Sequence, residues 1–399
     1  MRILVLAPQS FYIDRGTPID VDILLRALSA RGEEVEVVCL PGGQDHTYEN
    51  VTFHRVGGPA FLRDLPPGFS LGKVLADVLV FFMALRLLRS RRFDVIHAGE
   101  ESVYMAMVFR RLFGIPYVYD MDSSIAQQMV EQMPWLKPLG PLFQGLEARA
   151  IGGAIAVAPV CNALADLASR HTEAPVVTLH DISQLLKPDR EPNGLLERRW
   201  GIRRPALVYV GNLRPYQGVD LLLEAFALAL GEGSGMDLVI VGGSGRDMEK
   251  YRRKSARLGI DDRVHFIGPW PNQRIGEILA EAEILAAPRI RGINTPMKIF
   301  PYLHSGKPVL VTDLPTHSQI LDQSVAMLAS PRPASFARAI RRLETDPELR
   351  NRLGGNGRAF VEQNHTFPAH RKRVDRLYDG LRFPERESSL PTHSGAPLA

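Results

Sequence analysis

Cysteine is scarce in this chain of 399 residues: only Cys39 and Cys161 occur, and neither has a partner at CxxC spacing. The sequence therefore disfavours a disulfide framework or a zinc site, and a reducing compartment fits it better. A long apolar leader is also missing, because the run Ile3–Ala7 is too short for the core of a signal peptide. We predict that this run forms the first β-strand and that the protein is cytoplasmic.

Charge of one sign is not abundant either. The formal net charge is +4 and the pI is about 9.1, without a dense basic run that carries interleaved aromatic residues. This mild basic excess suits small anionic ligands such as nucleotide diphosphates or lipid headgroups, and it argues against nucleic acid as a partner. Because hydrophobic residues make up 45% and charged residues 23% of the chain, we expect an ordinary globular protein.

A glycine-rich dinucleotide fingerprint is missing after the first predicted strand. The nearest candidate, residues 242–247, has the wrong glycine spacing and follows a later strand at Leu238–Val241. This argues against a nicotinamide-dependent dehydrogenase. The chain has instead a regular alternation of short apolar runs with helix-period segments. The alternation predicts βαβ units and parallel sheets that are buried on both faces.

The alternation runs twice along the chain, whose length requires two domains of roughly 150–200 residues each. The strand candidates are Ile3–Ala7, Val35–Leu40, Asp94–Ala98, Tyr117–Met121, Ala154–Ala158 and Val176–Leu179, then Ala206–Val210, Leu238–Val241, Val264–Ile267, Ile284–Ala287, Pro308–Thr312 and Val325–Leu328. We predict domains over 1–185 and 195–366, a helix over about 367–381 and a disordered tail over 383–399. The predicted fold class is α/β, with two Rossmann-like, doubly wound domains facing a central cleft.

One segment stands apart from this pattern. Leu71–Leu88 is very apolar and is followed by three arginines, but Lys73, Asp77 and Arg86 interrupt it. It is therefore weak as a transmembrane span. Two interpretations stay open: a buried crossover helix, which we favour for the helix as a whole, and a peripheral membrane contact through part of Leu71–Arg92.

The loops that follow strands are the candidate binding sites, because open parallel sheets bind ligands beyond the carboxyl ends of their strands. After the first strand, Gly16 allows a close approach of the backbone to a ligand. Thr17 and Pro18 then predict a helix start, whose exposed amides can meet an anion.

The second half repeats this arrangement. Thr295 is the predicted N-cap of a helix, Pro296 its first residue, and Met297 and Lys298 follow. A cation at Lys298 opposes the helix dipole, which makes sense if an anion binds there. We therefore predict a diphosphate site at this helix start. The alternative is a solvated lysine without a partner.

A third loop follows the first strand of the second half. Gly211 permits close approach, and Arg214 and Gln217 can reach phosphate oxygens. Asn212 lies in the same loop, and Gly243 lies in the glycine-rich loop after the next strand. We predict that these five residues belong to the anion site.

Two carboxylates, Asp120 and Asp122, end the strand Tyr117–Met121. On a strand they point to opposite faces, so they would not ligate one metal without a turn. We predict no metal site and interpret Asp122 as a carboxylate of the cleft. The alternatives are a metal-binding Asp-x-Asp motif and a helix N-cap at this point.

Taken together, these segments resemble the GT4-type family of retaining glycosyltransferases, which have the GT-B fold. The resemblance runs over nearly the whole length and is carried, in order, by residues 1–28, 93–98, 114–116, 209–220 and 295–300. It implies a nucleotide-diphosphate sugar donor held mainly by the second domain and an acceptor held mainly by the first. It also implies that the last helix crosses back to the first domain.

The resemblance further implies a metal-independent and retaining transfer without a cofactor, in which positive side chains stabilise the leaving diphosphate. We assign catalytic roles to Lys298, Arg214 and Asp122. The expected acceptor is a glycan or a lipid-linked precursor of a cell-surface polysaccharide, and the expected location is the cytoplasm or the inner face of the cell membrane.

The sequence departs from the family pattern at several positions. Ile293 and Pro301 stand where the family commonly has two glutamates, and Asn212 and Gln217 stand where it has an arginine and a lysine. Asp122 replaces a common histidine. Two alternatives therefore stay open: a catalytically degenerate GT-B protein that acts as a partner or sensor, and a sugar-nucleotide epimerase.

Overall fold

The structure is a computed structural model that describes residues 1–13, 16–59, 61–62, 70–188 and 190–381. The predicted disordered tail over 383–399 lies outside the described residues. Within them, the chain forms two six-stranded sheets in which every strand pair is parallel.

The first sheet has the strand order β3-β2-β1-β4-β5-β6. Its strands are β1 Arg2–Ser10, β2 Glu34–Leu40, β3 Val51–Arg55, β4 Val95–Gly99, β5 Tyr117–Met121 and β6 Ala156–Pro159. Its helices are α1 Gly16–Ala30, α2 Leu71–Ser90, α3 Ser102–Phe113, α4 Ile125–Gln132, α5 Gly140–Gly153 and α6 Asn162–Ser169.

The second sheet has the order β12-β11-β10-β7-β8-β9. Its strands are β7 Ala206–Val210, β8 Asp237–Val241, β9 Val264–Gly268, β10 Ala282–Ala287, β11 Val309–Thr312 and β12 Met327–Ala329. The remaining helices are α7 Leu195–Trp200, α8 Val219–Gly231, α9 Gly245–Arg257, α10 Ile275–Glu281, α11 Ile299–His304, α12 Pro315–Ser318, α13 Pro333–Thr345, α14 Pro347–Asn364 and α15 Phe367–Asp379.

Each sheet is covered on both faces, which explains why its strands are apolar throughout. Successive strand residues point to opposite faces, so Leu4 and Leu6 enter one core cluster while Ile3 and Val5 enter another. The same split occurs in the second sheet. The predicted α/β fold class with two doubly wound domains is confirmed.

The two sheets share one topological feature that places the site. In the first, the strand order reverses between β1 and β4, and in the second it reverses between β7 and β10. The connections on either side of such a reversal run away from each other, which leaves a crevice at the carboxyl ends of the two central strands.

The strand predictions differ from the structure at two places. Residues 176–179 are not assigned as a strand and make one bridge, Val157 to Val176, although the amides of Val177 and Leu179 donate to the backbone oxygens of Val157 and Pro159, both at 2.9 Å. The strand β3 Val51–Arg55 was missed although its sequence alternates apolar and polar residues, as expected for an edge strand that is half-exposed.

The helix α2 matches the buried-crossover interpretation along one stripe. Ala76, Val80, Ala84 and Leu87 recur at helical spacing and are buried in the core. Other apolar side chains of the same helix stay exposed, and Phe82 is 59% exposed. Within the described residues, no helix is both long and apolar enough to cross a membrane.

The helix α15 lies against α1 of the first domain. Arg31 Nη1 donates to Asp375 Oδ1 at 2.7 Å and Arg31 Nη2 to Asp379 Oδ1 at 2.8 Å. The hydroxyl of Tyr378 lies 2.8 Å from His97 Nδ1, under the first sheet. The end of the chain thus ties the second domain back to the first, where the resemblance placed it.

Candidate active site

The carboxyl ends of the two sheets face each other and touch at several points. Asn294 Nδ2 donates to the backbone oxygen of Asp122 at 2.6 Å. The backbone amide of Ala163 donates to Gln319 Oε1 at 3.0 Å. The loops after β5, β6, β10 and β11 therefore enclose a cleft between the two domains.

Lys298 is the central cation of the second-domain wall. Its ammonium lies 4.1 Å from the centroid of the Tyr209 ring and has no hydrogen-bond partner among the described residues. Burial and, next, the positive charge of Arg289 lower the pKa of Lys298 to about 7. An unpartnered buried ammonium is costly, so this position suits an anionic ligand.

Arg289 follows β10 and is the second cation of this wall. Its Nε donates to the backbone oxygen of Arg291 at 2.7 Å, and its guanidinium lies 5.4 Å from the Tyr216 ring centroid. Burial lowers the pKa of Arg289. Two like charges held together in a partly buried wall repel each other, and an anion bound between them would relieve that repulsion.

His317 completes the wall from the loop after β11. Its Nδ1 lies 3.0 Å from Thr312 Oγ1 and 3.1 Å from the Thr312 backbone oxygen, and its Nε2 has no partner among the described residues. Burial lowers the pKa of His317 to about 3. The imidazole is therefore neutral, and the hydrogen bonds assign the proton to Nδ1.

Two glycines let the loops approach this wall. Gly211 has φ 145°, and a Cβ there would stand 2.7 Å from Lys298 Nζ. Gly218 has φ 76°, and a Cβ there would overlap the backbone oxygen of Pro288. The loop after β7 thus packs directly on the loop after β10, at the crevice where the strand order reverses.

The predicted helix start at Thr295 was wrong in detail. The helix α11 begins at Ile299 with Lys298 as N-cap, and no side chain caps it. Thr295 is 6% exposed and its Oγ1 has no hydrogen-bond partner among the described residues. Pro296 forms a turn before the helix, since its oxygen accepts from the Ile299 amide at 3.0 Å. The hydroxyl of Thr295 is therefore available to a ligand.

The loop after β7 contributes fewer residues to the cationic wall than the sequence analysis predicted. Arg214 and Asn212 are exposed, and Asn212 Oδ1 accepts from the Arg214 amide at 3.2 Å. Gln217 is 6% exposed and its Oε1 has no partner among the described residues. Gly243 packs against the Leu213 side chain. Of the five residues predicted for the anion site, only Gln217 presents a buried side-chain polar atom without a hydrogen-bond partner among the described residues.

Gly16 and Met297 meet across the cleft. A Cβ at Gly16 would stand 3.5 Å from Met297 Sδ, and Met297 packs against the core of the first domain. Both residues therefore contribute a contact between the domains. Thr17 Oγ1 donates to Glu100 Oε1 at 3.3 Å instead of capping the helix. The helix α1 begins at Gly16, two residues before the predicted first helical residue Pro18.

The first-domain wall is acidic. Desolvation and, next, the charge of Asp120 raise the pKa of Asp122 well above its usual range. Asp120 Oδ2 lies 3.1 Å from His97 Nε2. The N-cap of α4 is Ser124, whose Oγ accepts from the Gln127 amide at 3.2 Å. The N-cap alternative therefore applies to Ser124, and Asp122 stays a carboxyl group of the cleft.

Sequence reasoning missed Arg289 and His317. The signal for Arg289 was its position two residues after the buried strand Ala282–Ala287, beside the point where the order of strands reverses. His317 gives no comparable signal, since a lone histidine in a short helix is not distinctive. Within the described residues, no group of three or more metal-ligating side chains is arranged to hold a metal ion.

Comparisons with known proteins agree with this architecture. Residues 16–182 match the glycosyl transferase 4-like domain, and residues 197–360 match the glycosyl transferases group 1 family. The chain belongs to the GT4-type family of GT-B glycosyltransferases.

The relatives of this glycosyltransferase are distant. The α-D-kanosaminyltransferase of Streptomyces kanamyceticus is 24% identical over 292 residues, which cover 70% of this chain and 74% of that protein. Two further relatives match over 50% and 39% of their own lengths. Sucrose-phosphate synthase from Thermosynechococcus elongatus superposes with a TM-score of 0.76 at 18% identity, covering 95% of this chain and 98% of the other. HepE from Anabaena, solved in complex with UDP, gives a TM-score of 0.73 at 15% identity, covering 96% and 100%.

The two departures from the paired-glutamate pattern have structural roles in this glycosyltransferase. Ile293 packs with the core of the first domain, and its backbone oxygen accepts from Gln319 Nε2 at 2.7 Å. Pro301 lies in the first turn of α11, where a missing amide proton costs no helical hydrogen bond. Neither position presents a carboxylate to the cleft.

Proposed function

We propose that this glycosyltransferase moves a sugar from a nucleotide-diphosphate sugar to an acceptor bound on the first-domain wall, with retention and without a metal ion. The observation that carries the proposal is the buried ammonium of Lys298, which has no hydrogen-bond partner among the described residues and lies beside Arg289. A diphosphate is the anion that suits two adjacent cations at the carboxyl ends of parallel strands.

The same cations suit the chemistry of transfer. Negative charge grows on the leaving diphosphate as the bond to the sugar breaks, so preorganised positive groups bind the transition state more tightly than the ground state. Lys298 is fixed by the Tyr209 ring, and Arg289 is fixed by the Arg291 oxygen. Together they supply the charge that a metal ion supplies elsewhere, which supports a metal-independent reaction.

Three neutral groups complete the donor side of the proposal. Thr295 Oγ1, Gln217 Oε1 and His317 Nε2 are buried without hydrogen-bond partners among the described residues. Buried polar atoms are normally paired, so we assign these three to the donor. Gln217 and His317 present acceptors and suit hydroxyl or amide donors of the nucleotide sugar. Arg214, on the exposed rim, is assigned a secondary contact to phosphate.

The nucleotide to test first is UDP, because solved relatives of the same fold were obtained with UDP or UDP-glucose. The experiment is thermal unfolding with UDP, GDP, ADP and their sugars. A ligand at a hundred times its dissociation constant stabilises by about 2.7 kcal/mol. We expect one nucleotide to raise the melting temperature, and Lys298→Ala to abolish that shift.

The matched control is Lys250→Ala, which removes a lysine of the same domain that is 55% exposed on α9. It should leave the nucleotide shift unchanged. The donor-site proposal is overturned if no nucleotide stabilises the wild-type protein, or if Lys298→Ala retains the full shift. Product analysis by NMR with the active donor then reports whether the anomeric configuration is retained.

We also propose a peripheral membrane contact in the cytoplasm, consistent with a lipid-linked acceptor. Exposed apolar side chains lie on helices that pack on one another in the order α2, α3, α5. Phe82 of α2 is 59% exposed, Leu112 of α3 is 62% exposed and Leu142 of α5 is 56% exposed. Arginines at the ends of α2 and α3 flank them and suit anionic headgroups.

Co-sedimentation with vesicles tests this contact. We expect binding to phosphatidylcholine vesicles that contain phosphatidylserine, and a loss of about tenfold or more in Phe82→Ser with Leu112→Ser, since each buries a large apolar side chain. Leu186→Ser is the control, because Leu186 is 80% exposed in the linker. Equal binding of both variants, or no binding by wild type, contradicts the membrane contact.

A further inference from the structure

His97 connects the last helix to the end of β5. Its imidazole is buried on β4, with Nδ1 2.8 Å from the hydroxyl of Tyr378 on α15 and Nε2 3.1 Å from Asp120 Oδ2. The rings of His97 and Tyr378 are nearly parallel, with an interplanar angle of 13°. Two hydrogen bonds therefore lead from the last helix, across the interior of the first domain, to the first-domain wall of the cleft.

The partners of His97 determine the direction of both hydrogen bonds. An ionised carboxylate can only accept, so the proton between His97 and Asp120 belongs to Nε2. The Nδ1 atom then accepts from Tyr378, whose hydroxyl keeps its proton because burial raises the pKa of Tyr378 well above its usual range. These contacts assign the Nε2–H tautomer to His97. Tyr378 thus donates to His97, and His97 donates to Asp120.

The carboxylate of Asp120 is held at one oxygen only. Among the described residues, Asp120 Oδ1 makes no hydrogen bond, and no lysine or arginine lies within 4.0 Å of the carboxylate. The side chain of Asp120 is 16% exposed, whereas the side chain of His97 is 1% exposed. A partly exposed carboxylate oxygen without a protein partner is placed to accept a hydrogen bond from a ligand.

The backbone at this strand end is fixed and faces the second domain. Asp120 pairs with β4, and its backbone oxygen accepts from the Glu100 amide at 3.1 Å. Two residues further on, the backbone oxygen of Asp122 accepts from Asn294 Nδ2 of the second domain at 2.6 Å. The remaining freedom of Asp120 is the rotation of its side chain, and the hydrogen bond from His97 restrains that rotation.

The helix α15 is held on the first domain by contacts that do not need the Tyr378 hydroxyl. Arg31 donates to Asp375 at 2.7 Å and to Asp379 at 2.8 Å, and its guanidinium lies 5.8 Å from the centroid of the Tyr378 ring. Val374 is fully buried in the core of the first domain. Tyr378→Phe keeps all of these contacts and removes the hydrogen bond to His97.

We propose that His97 and Tyr378 are positioning residues, which hold the carboxylate of Asp120 against the attacking hydroxyl of the acceptor. The proposal rests on the proposed function, which places the acceptor on the first-domain wall. In the transfer step the hydroxyl oxygen bonds to the anomeric carbon, and the bond from that carbon to the diphosphate breaks with its electron pair on the diphosphate. The hydroxyl proton passes to Asp120. The last helix is thus part of the acceptor site, and a loss of the alignment that it imposes lowers turnover.

The first test compares Tyr378→Phe with the matched control Tyr117→Phe. The Tyr117 hydroxyl is also buried and donates to the Ala150 oxygen at 2.8 Å, but Tyr117 lies at the opposite end of β5 from Asp120. Release of the nucleoside diphosphate is measured with the nucleotide sugar that gives the largest thermal shift, and with water or p-nitrophenyl glucoside, galactoside and mannoside as acceptors. We expect Tyr378→Phe to lower kcat by about tenfold. Tyr117→Phe should keep the wild-type value, although both variants lose one buried hydrogen bond.

Two substitutions of His97 separate its two hydrogen bonds. His97→Gln keeps an amide donor near the position of Nε2, so it should retain at least about a third of the wild-type kcat. His97→Asn is too short to reach Asp120 and should lose about tenfold or more. The affinity for UDP, measured by calorimetry, should stay the same in both, because the second-domain wall is untouched.

NMR with nitrogen-labelled histidine reports the tautomer directly. The signal of His97 is identified by its absence from His97→Gln, and we expect a protonated Nε2 and an unprotonated Nδ1. A proton on Nδ1 would overturn the proposal. So would wild-type kcat in Tyr378→Phe, an equal loss in Tyr117→Phe, or equal losses in His97→Gln and His97→Asn.

The same measurements distinguish failure of the positioning role from failure of the proposed function. A wild-type protein that releases no nucleotide with any of these acceptors contradicts the proposed function, and the positioning role with it. A wild-type protein that turns over while Tyr378→Phe turns over equally fast contradicts the positioning role alone.

Discussion

The two walls of the cleft are built from the same architecture and carry opposite charge. Both sheets have six parallel strands, and in both the order reverses beside the first strand. The second-domain wall presents Lys298 and Arg289 without an anionic partner among the described residues. The first-domain wall presents the carboxyl groups of Glu100, Asp120 and Asp122, and Asp120 is paired with His97.

The fold determines where the strand ends meet, and the loops determine the charge of each wall. The apolar strands set where the carboxyl ends meet, because their packing leaves one register for each sheet. The residues just beyond those ends take no part in that packing, so their charge is free to match a ligand. An anionic donor is the partner that suits the cationic wall.

The largest expected effect comes from breaking the cationic wall. Lys298→Met keeps the length of the side chain but removes its charge, and we expect kcat to fall by about 10²–10³, as for loss of one oxyanion-stabilising donor. Lys250→Met, at an exposed position of the same domain, should keep wild-type turnover. Steady-state assays with the nucleotide sugar found by thermal unfolding measure both. Unchanged kcat in Lys298→Met would remove Lys298 from the chemistry.

A substitution in the acidic wall should lower turnover without changing the affinity for UDP. We expect Asp122→Asn to lower kcat by about 10²-fold, the effect of losing a proton-transferring or charge-bearing group at the acceptor. The affinity for UDP should stay the same, because Asp122 lies on the opposite wall. Titration calorimetry and initial rates separate the two quantities. A parallel loss of UDP affinity would show that the walls do not act independently.

The affinity for UDP should depend on pH, because Lys298 titrates on the donor side of the cleft. The pKa of Lys298 is lowered to about 7, so the free protein loses this charge above pH 7, and a bound diphosphate must return the proton. UDP affinity should therefore fall by up to about tenfold per pH unit between pH 7.5 and 9, where the phosphates are already ionised. In Lys298→Met the affinity should not vary over this range.

Most of the fold could be predicted from the sequence, because eleven of the twelve candidate strands overlap an observed strand. Short apolar runs that alternate with helix-period segments are compatible with few folds other than parallel α/β sheets. Residues 176–179 run beside β6 with two backbone hydrogen bonds of 2.9 Å but only one bridge, so the sequence located the edge of the sheet and overestimated the regular pairing there. The domain boundary near residues 183–194 stays a prediction, made from Pro, Asp and Gly in that segment.

The site could be predicted only in part. Lys298 was predicted because a cation there would oppose the dipole of a helix that starts at Thr295. The structure begins that helix at Ile299, but Lys298 Nζ is buried and has no hydrogen-bond partner among the described residues, so its binding role stays a prediction. Arg214 was chosen by proximity along the chain, yet it lies exposed on the rim, while Arg289 comes from a distant strand end. The acidic wall joins the ends of β4 and β5, where the Glu100 amide donates to the Asp120 backbone oxygen at 3.1 Å, and no local sequence pattern reports that contact.

The smallest expected effect concerns stability and not turnover. The pKa of Asp181 is raised from 3.8 to about 6, so the folded state holds a proton that the unfolded state has lost between these values. The stability of the wild-type protein therefore falls as pH rises through this window, and the loss persists above it. Asp181→Asn lacks this titration.

We expect Asp181→Asn to be more stable than wild type by about 1–3 kcal/mol at pH 7.5, and the difference to shrink towards pH 4. Each kcal/mol corresponds to about 2–4 °C in melting temperature for a domain of this size. Calorimetric scans at the two pH values measure the change, with Glu249→Gln as the control that shows none. A variant less stable than wild type at pH 7.5 would mean that a cation already neutralises Asp181. The contrast between the two walls would then be weaker than the charges on the described residues indicate.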